Sequence, residues 1–104
     1  MKGERLKGHL DMLLLGVFKR GPAHGYAVIT DLKARSDGAF DLPEGTVYPA
    51  LHRLEQLGLV RSRWQVVAGR RRRVYELTGA GAAVLREQTQ EWRAFAAAVG
   101  TVLA

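Results

Sequence analysis

Cysteine is absent from this chain of 104 residues, and serine occurs only at Ser36 and Ser62. Without cysteine there is neither a disulfide framework nor a thiolate metal site. The histidines His9, His24 and His52 stand at no ligand spacing, and no grouping of serine, histidine and carboxylate suggests a nucleophile. We therefore expect no metal centre, no cofactor and no enzymatic activity.

Long hydrophobic runs are also missing from the chain. The longest, at residues 12–18, is far too short to cross a bilayer. Residues 1–5 are not followed by the apolar stretch and small-residue cleavage site of a signal peptide. A chain of this length has room for one small domain, and its limited core favours pairing with a second copy. We expect a cytoplasmic protein that forms a homodimer.

Acidic residues are missing from residues 61–73, which hold six arginines. This stretch accounts for the net charge of +6, because the rest of the chain has ten basic and ten acidic residues. Residues 59–78 predict a β-hairpin with a strand on each side of a turn at Ala68 and Gly69, the second strand at residues 74–77. Four arginines, which we call the arginine cluster, are expected at its tip: Arg70, Arg71, Arg72 and Arg73. A cationic tip of this kind suits a nucleic-acid phosphate backbone.

Apolar residues at helical spacing predict three helices before the hairpin. The first includes Leu10, Leu13, Leu14, Val17 and Phe18 and is stopped by Gly21 and Pro22. The second covers about residues 24–35, with Tyr26, Ile29 and Leu32 on one side, and residues 36–38 break it. The third begins near Pro43 as its first helical residue, turns Val47, Leu51 and Leu54 inward and ends at Gly58.

The third helix has a polar outer face of donors, acceptors and one aromatic residue: Thr46, Tyr48, Pro49, His52, Arg53 and Gln56. Three helices followed by a basic hairpin give the order of a winged helix-turn-helix. We therefore predict an α+β, mainly α, fold in which the third helix is the recognition helix and the two-stranded hairpin is the wing. Tyr26 and Tyr75 are assigned mainly to packing, although the Tyr26 hydroxyl is within reach of a phosphate in this fold.

The C-terminal segment carries a heptad stripe of residues four, three, four, three and four apart: Leu85, Thr89, Trp92, Ala96, Val99 and Leu103. Thr78 is a good N-cap for this helix. Because a helix after the wing has little of its own domain left to contact, the stripe indicates a dimer interface. We divide the chain into a DNA-binding domain at residues 1–78 and a dimerisation helix at residues 79–104.

Three strings of the sequence resemble the PadR family of bacterial transcriptional regulators. They are His-Gly-Tyr at residues 24–26, Glu-Gly-Thr-Val-Tyr-Pro-Ala-Leu-His-Arg-Leu-Glu at residues 44–55, and the arginine-rich residues 69–78. The resemblance covers roughly residues 10–92, and the short C-terminal region is similar to the small-bodied branch of the family. It implies a dimeric winged-helix DNA-binding protein, commonly a repressor relieved by a small molecule, with the last helix as the dimerisation element.

Trp92 on the heptad stripe has two interpretations. A tryptophan at such a position is most often interface core. At a twofold axis it also meets its own copy, and two facing indoles form a slot for a planar hydrophobic or cationic effector. Some relatives with a tryptophan at this point resemble multidrug-responsive sensors.

Three classes of function remain open on the sequence. The first is a sequence-specific regulator that reads an inverted-repeat operator in double-stranded DNA through the outer face of the recognition helix. The second is a winged-helix protein that binds nucleic acid without sequence preference, which would show steep salt dependence and little discrimination. The third is a protein-interaction module, which an aromatic-free tip of adjacent arginines fits less well. A membrane partner is excluded because no amphipathic helix has a basic polar face.

Overall fold

The computed structural model describes residues 9–104. Along this part of the chain the elements are α1 Leu10–Phe18, β1 Ala23–His24, α2 Gly25–Arg35, α3 Glu44–Gln56, β2 Val60–Val67, β3 Arg70–Leu77 and α4 Gly79–Leu103. The content is mainly helical with one antiparallel sheet, which confirms the predicted class. Residues 1–8, which include the segment where the sequence predicts no signal peptide, lie outside the described residues.

Helices α1 to α3 share one hydrophobic core. Each contributes one apolar face, because its apolar residues recur at three- and four-residue spacing. The sheet closes this core through Val60 and Tyr75, and the packing role predicted for Tyr75 is confirmed at 1% exposure. The same prediction for Tyr26 is wrong, since 54% of that residue is exposed. Helix α2 turns Val28 and Leu32 inward, which leaves Tyr26 on the opposite side.

The connection between α2 and α3 is fixed by hydrogen bonds of Ser36. Its hydroxyl donates to the carbonyl oxygen of Leu32 at 2.6 Å and accepts from the backbone N–H of Phe40 at 2.9 Å. Gly38 has a φ of 84° and donates its N–H to the carbonyl oxygen of Lys33 at 2.8 Å, which closes the helix end. The predicted break at residues 36–38 is confirmed.

Helix α3 begins one residue later than predicted. Pro43 is the N-cap rather than the first helical residue, because its ψ of 159° is extended, and its carbonyl accepts from the N–H groups of Thr46 and Val47. The helix continues through Pro49 to Gln56. Gly58 ends it in the left-handed region, with a φ of 74°, as predicted.

The wing differs from the predicted hairpin in the position of the arginine cluster. Ala68 and Gly69 both have positive φ, 53° and 76°, so a tight two-residue turn joins β2 to β3. Strand β3 begins immediately after the turn, and the whole arginine cluster lies in this strand rather than at a loop tip. A short strand, β1, also pairs with β3, which makes a sheet of three strands in the order β1-β3-β2 instead of two.

Helix α4 begins as predicted at Thr78, whose hydroxyl accepts the N–H of Gly81 at 3.0 Å. A side chain at Gly81 would meet the backbone of Leu59, whose carbonyl carbon would lie 2.8 Å from its Cβ, so this glycine permits a close approach. Leu85 belongs to the core. The expectation that this helix has little of its own domain to contact is therefore wrong for its first half. No helix within residues 9–104 is long and apolar enough to cross a membrane.

Candidate nucleic-acid interface

Helix α3 presents its polar face away from the core. Its buried side holds Val47, Ala50, Leu51 and Leu54. At 100° per residue, Pro49, His52 and Gln56 lie opposite that side, and all three are exposed. Thr46 and Tyr48 lie on the two flanks and are half-buried. The centre of the outer face is therefore formed by Pro49 and the ring of His52, with amide groups from Gln56.

Tyr48 is held against the first turn of α2. A Cβ placed on Gly25 would lie 2.7 Å from Cζ and 2.8 Å from the hydroxyl oxygen of Tyr48, so the ring occupies the space of a missing side chain. This contact explains why a glycine precedes Tyr26 at the start of the helix. It also fixes the angle between α2 and α3, which is the geometry that a helix-turn-helix uses to present its recognition helix.

Arg53 is engaged by α1 rather than left free for a ligand. Its two terminal nitrogens donate to the two carboxylate oxygens of Asp11, one of them at 2.9 Å. This hydrogen bonding raises the pKa of Arg53. Such a bidentate pair fixes the plane of the guanidinium group. For Arg53 to contact a base, the ion pair with Asp11 must first open.

The wing has two faces with different chemistry. Residues directly opposite on β2 and β3 share a face. We call the inner face the one formed by Ser62, Trp64, Val66, Arg71 and Arg73. The outer face is formed by Arg61, Arg63, Gln65, Arg70, Arg72 and Glu76.

The inner face is tied to the recognition helix at its base. The Ser62 hydroxyl donates to a Glu55 carboxylate oxygen at 2.5 Å, and Arg73 donates its Nε–H to the Ser62 oxygen at 2.8 Å. The Arg73 guanidinium also lies 3.8 Å from the Glu55 carboxylate. Glu55 thus sets the position of the wing relative to α3, and Arg73 is partly occupied by this contact.

Further along the inner face, the indole of Trp64 lies close to two guanidinium groups. The Cζ atoms of Arg71 and Arg73 are 4.7 Å and 5.4 Å from its ring centroid, which is the range of cation–π attraction. Trp64 is nevertheless 54% exposed and Val66 is 76% exposed. The inner face therefore combines positive charge with uncovered apolar surface.

The outer face is paired near its base and unpaired near the turn. Arg61 and Arg63 contact the same Glu76 carboxylate oxygen at 2.9 Å and 3.3 Å, and the Arg61 hydrogen bond is the main cause of a lowered pKa for Glu76. The side chains of Arg70 and Arg72 make no hydrogen bond or ion pair with any of residues 9–104. Arg71 on the inner face likewise makes no hydrogen bond or ion pair with residues 9–104, so these three arginines are the unpaired cations of the wing in the described part of the chain.

His24 lies beside this free charge. Burial, and secondly the charge of Arg72, lower the pKa of His24. The neutral ring caps α2, since its Nδ1 accepts the backbone N–H of Ala27 at 3.2 Å. This cap was not predicted, because histidine is not among the side chains that commonly cap helix N-termini. His24 also pairs with Val74 across the sheet. No group of residues within 9–104 has the arrangement of a metal site.

The predicted dimerisation stripe divides into a covered and an uncovered half. Leu85 is buried and Thr89 is half-buried. From Trp92 onward the stripe is exposed, and the exposed fraction reaches 78% at Leu103. The exposed members of the stripe in this half are Trp92, Ala96, Val99 and Leu103, joined by Phe95 and Val102 beside it.

Trp92 lies at the edge of a cleft of about 670 Å³ between α1 and α4. Its indole meets the ring of His9 edge-on, with 5.3 Å between centroids, and is 6.1 Å from the ring of Phe95. The ion pair of Asp11 and Arg53 lines the same cleft. The cleft thus extends from the stripe of α4 to Arg53 on α3.

Comparison with known proteins places this geometry in a family. The model of the transcriptional regulator PadR-like family matches residues 14–87, which is well over half of the chain. The chain belongs to the PadR-like family of transcriptional regulators. It is therefore a DNA-binding regulator and not an enzyme, and the resemblance seen in the sequence is confirmed.

Solved structures of PadR-like regulators share the whole fold. A PadR family transcriptional regulator from Eggerthella lenta DSM 2243 is 36% identical, with a TM-score of 0.78 over 96% of this chain and 86% of that one. A PadR family regulator from Clostridium difficile R20291 is 31% identical, with a TM-score of 0.81 over 92% and 99%. Bacillus subtilis PadR in complex with operator DNA is 22% identical, with a TM-score of 0.70 over 77% and 46%, a likeness of fold alone.

Four residues of the candidate interface were not singled out from the sequence: Asp11, Glu55, Trp64 and Val66. Asp11 contacts Arg53, 42 residues away, and Glu55 contacts Ser62, 7 residues away. No local sequence pattern predicts such contacts. Trp64 and Val66 had a usable signal. Once the turn is placed at Ala68 and Gly69, strand alternation sets them on one face with Arg71 and Arg73.

Proposed function

We propose that this PadR-like protein is a cytoplasmic, homodimeric repressor that binds an inverted-repeat operator and releases it when a small molecule binds. The observation that carries the DNA-reading part is the link between Glu55 on α3 and Ser62 and Arg73 on the wing. It holds α3, with its polar outer face, against the strand that carries the arginine cluster. A helix in the major groove and a basic wing on the adjacent backbone need this relation.

Contacts divide between the two elements by chemistry. Arg70, Arg71 and Arg72 supply charge for phosphates, which gives affinity without sequence preference. Thr46, Tyr48, Pro49 and His52 supply the surface for base edges, and Arg53 joins them when Asp11 releases it. Tyr26, exposed on α2, supplies a hydroxyl for a backbone phosphate.

Dimerisation is supported by the uncovered half of α4. Its exposed apolar residues continue the heptad spacing of Leu85 and Thr89 along the part of α4 that the rest of the chain does not cover. A second copy of the helix is the partner with the same period, and twofold pairing buries the stripe of both copies. The same symmetry presents two recognition helices to two half-sites about one helical turn apart.

Relief by an effector is supported by the cleft beside Trp92. Aromatic rings of His9, Trp92 and Phe95 surround it, and carboxylates of Asp11 and Glu91 line it. This chemistry suits a planar hydrophobic or cationic molecule. A ligand in this cleft that contacts Asp11 competes with Arg53 for the carboxylate. A ligand between the paired α4 helices changes the distance between the two recognition helices, and so their fit to the two half-sites.

The test is a titration of the purified protein with DNA from upstream of its own gene, at several salt concentrations and against unrelated DNA. We expect preference for an inverted repeat with a steep salt dependence. Arg72→Ala should weaken all duplexes alike and lower the salt slope by about one. His52→Ala should mainly reduce the preference for the inverted repeat. Equal affinity for all duplexes at every salt concentration would contradict operator recognition.

A second candidate, binding without sequence preference, is favoured by one observation. The only arginine on the outer part of α3 is held by Asp11, and Arg contacts to guanine are the commonest specific contacts to bases. If the pair does not open on DNA, backbone contacts from the wing dominate. The competition titration above separates the two candidates.

The effector is tested with an aromatic cation that does not intercalate into DNA, such as benzyltrimethylammonium, in a Trp64→Phe variant, which leaves Trp92 as the only tryptophan. Binding at the cleft should quench Trp92, and it must change DNA affinity if the two sites are coupled. Trp92→Ala should lose this response and keep dimerisation and DNA binding. A variant that becomes monomeric or unfolded would show instead that Trp92 is interface core.

A further inference from the structure

The inner face of the wing carries uncovered apolar surface that phosphate binding does not explain. Phosphates bind unpaired arginines, which are Arg70 and Arg72 on the outer face and Arg71 on the inner face, and an indole or an isopropyl group adds nothing to such contacts. On the inner face, Trp64 and Val66 are exposed between the turn and the contact with Glu55. An exposed tryptophan next to a second exposed apolar residue on a strand marks a binding surface more than a folding requirement.

The position of this surface limits what can cover it. Ser62 on the same face is hydrogen-bonded to α3, and each second strand residue advances about 7 Å. Trp64 therefore lies about one such step beyond the recognition helix and Val66 about two steps. With α3 in a major groove, a ligand at this distance is the sugar-phosphate chain and the minor groove that follows it, which is about 6 Å wide.

The charge around the surface selects the same ligand. Arg71 and Arg73 flank the indole at 4.7 Å and 5.4 Å, so any partner of Trp64 must accept two guanidinium groups beside its apolar contact. A minor groove offers this combination, because apolar deoxyribose faces line it and phosphates border it. Apolar side chains and arginines are the groups that proteins place in minor grooves.

We propose that Trp64 is a DNA-contacting residue that packs its indole on the sugars at the edge of the minor groove, with Val66 beside it and Arg71 reaching into the groove. The proposal rests on the proposed function, since it needs α3 in the adjacent major groove. The wing then contributes shape-dependent discrimination for A·T-rich, narrow grooves, in addition to charge.

The first test uses fluorescence in a Trp92→Phe variant, in which Trp64 is the only tryptophan. The binding site in the DNA upstream of the protein's own gene is first mapped by footprinting. Adding DNA that contains this site should quench the emission of Trp64. A Trp64 emission that is unchanged at saturating DNA would overturn the proposal.

The second test separates an apolar contact from a charge. Trp64→Ala should weaken binding to the mapped site about tenfold, equivalent to about 1.4 kcal/mol, and leave the salt slope unchanged. Trp64→Phe should retain most of the affinity. Arg71→Ala is the charged control and should lower the slope by about one. Leu57→Ala is the apolar control, since Leu57 is 60% exposed but outside the wing, and it should bind as the parent protein does.

The groove is identified with base analogues under the wing. An I·C pair has the minor-groove pattern of A·T and the major-groove pattern of G·C, because inosine lacks the guanine 2-amino group. Replacing A·T by I·C there should keep the affinity, whereas G·C should lower it severalfold. If I·C and G·C weaken binding equally, the wing reads the major groove and the proposal is wrong. A parent protein that shows no site preference, but whose Trp64 is still quenched by DNA, would contradict operator recognition and leave the Trp64 contact intact.

Discussion

The last two elements of the chain, the wing and α4, have the same internal division. In both, the side chains nearest the rest of the domain have partners within it, and the side chains farther along do not. Arg61 and Arg63 share Glu76 at the base of the wing, while Arg70 and Arg72 beside the turn have no ion pair with any of residues 9–104. The uncovered surface differs in its balance: on the wing it is mainly charge, with Trp64 and Val66 as its apolar part, and on α4 it is mainly apolar.

This difference indicates two kinds of partner. Unpaired cations gain most from a polyanion, whose condensed counterions they release. Unpaired apolar residues gain most from a surface that removes them from water. The proposed DNA surface and the proposed dimer surface are thus separate parts of the chain.

The largest effect is expected from the covered half of α4. Leu85→Ala removes a core side chain that is 8% exposed, and it should lower the free energy of unfolding by about 2–5 kcal/mol. Urea denaturation measures this change. The loss should persist at protein concentrations where the parent is dimeric, because the lost contacts lie within one copy. A loss below about 0.5 kcal/mol, the range of surface substitutions, would mean that α4 is not part of the domain core.

The uncovered half of the same stripe should respond differently. Val99→Asp places a charge in the proposed helix pair and, by leaving it buried without a partner, should raise the dimer dissociation constant at least a hundredfold, which corresponds to about 3 kcal/mol. Sedimentation at several concentrations measures this constant. The fold of the single copy should be unchanged by circular dichroism.

Gln90→Asp is the matched control for Val99→Asp, because Gln90 is exposed on α4 and is not on the stripe. It should leave the dimer intact. A Val99→Asp protein that remains dimeric to nanomolar concentration would show that the pairing uses another surface.

These two halves also show what the sequence can and cannot predict. The heptad period of residues 85–103, the N-cap Thr78 and the three early helices follow from local patterns and were predicted. The burial of Leu85 was not, because it comes from the packing of α4 against α1, with the start of α4 held at the connection between α3 and β2 by the close approach of Gly81 to Leu59. The cationic character of the wing was predicted, and strand alternation from the turn at Ala68 and Gly69 could also have assigned each arginine to a face. The link from Ser62 and Arg73 to Glu55 could not be predicted, because it depends on how the wing packs on α3.

The next effect concerns Arg53, which the ion pair with Asp11 of α1 keeps from contacting DNA. Asp11→Asn should release Arg53, because the neutral amide loses the charge-assisted bidentate pair. We expect DNA affinity to increase severalfold and the salt slope to rise by up to about one. Stability should fall by less than about 1 kcal/mol, since both side chains are partly exposed. The double variant Asp11→Asn with Arg53→Ala is the control and should show no gain; an equal gain in it would assign the effect to the lost negative charge alone.

The smallest effect is expected at the base of the wing, where Glu76 holds Arg61 and Arg63. The hydrogen bond from Arg61 lowers the pKa of Glu76, so its carboxylate stays charged below the ordinary value of 4.5. The contribution of this pair to stability is therefore complete above pH 4.5 and is lost as the pH falls through the lowered pKa of the folded protein. Glu76→Gln should remove this acid-dependent step and, by freeing two arginines, should raise affinity for unrelated DNA about twofold at low salt with less effect at high salt. Urea denaturation at pH values between about 3 and 6, roughly the range around that step, measures the change in stability. The salt titration measures the change in DNA affinity.

If Glu76→Gln left the pH dependence of unfolding unaltered, the ion pairs at the base of the wing would contribute nothing measurable to stability. The contrast between a paired base and an unpaired tip of the wing would then rest on Arg73 and Glu55 alone.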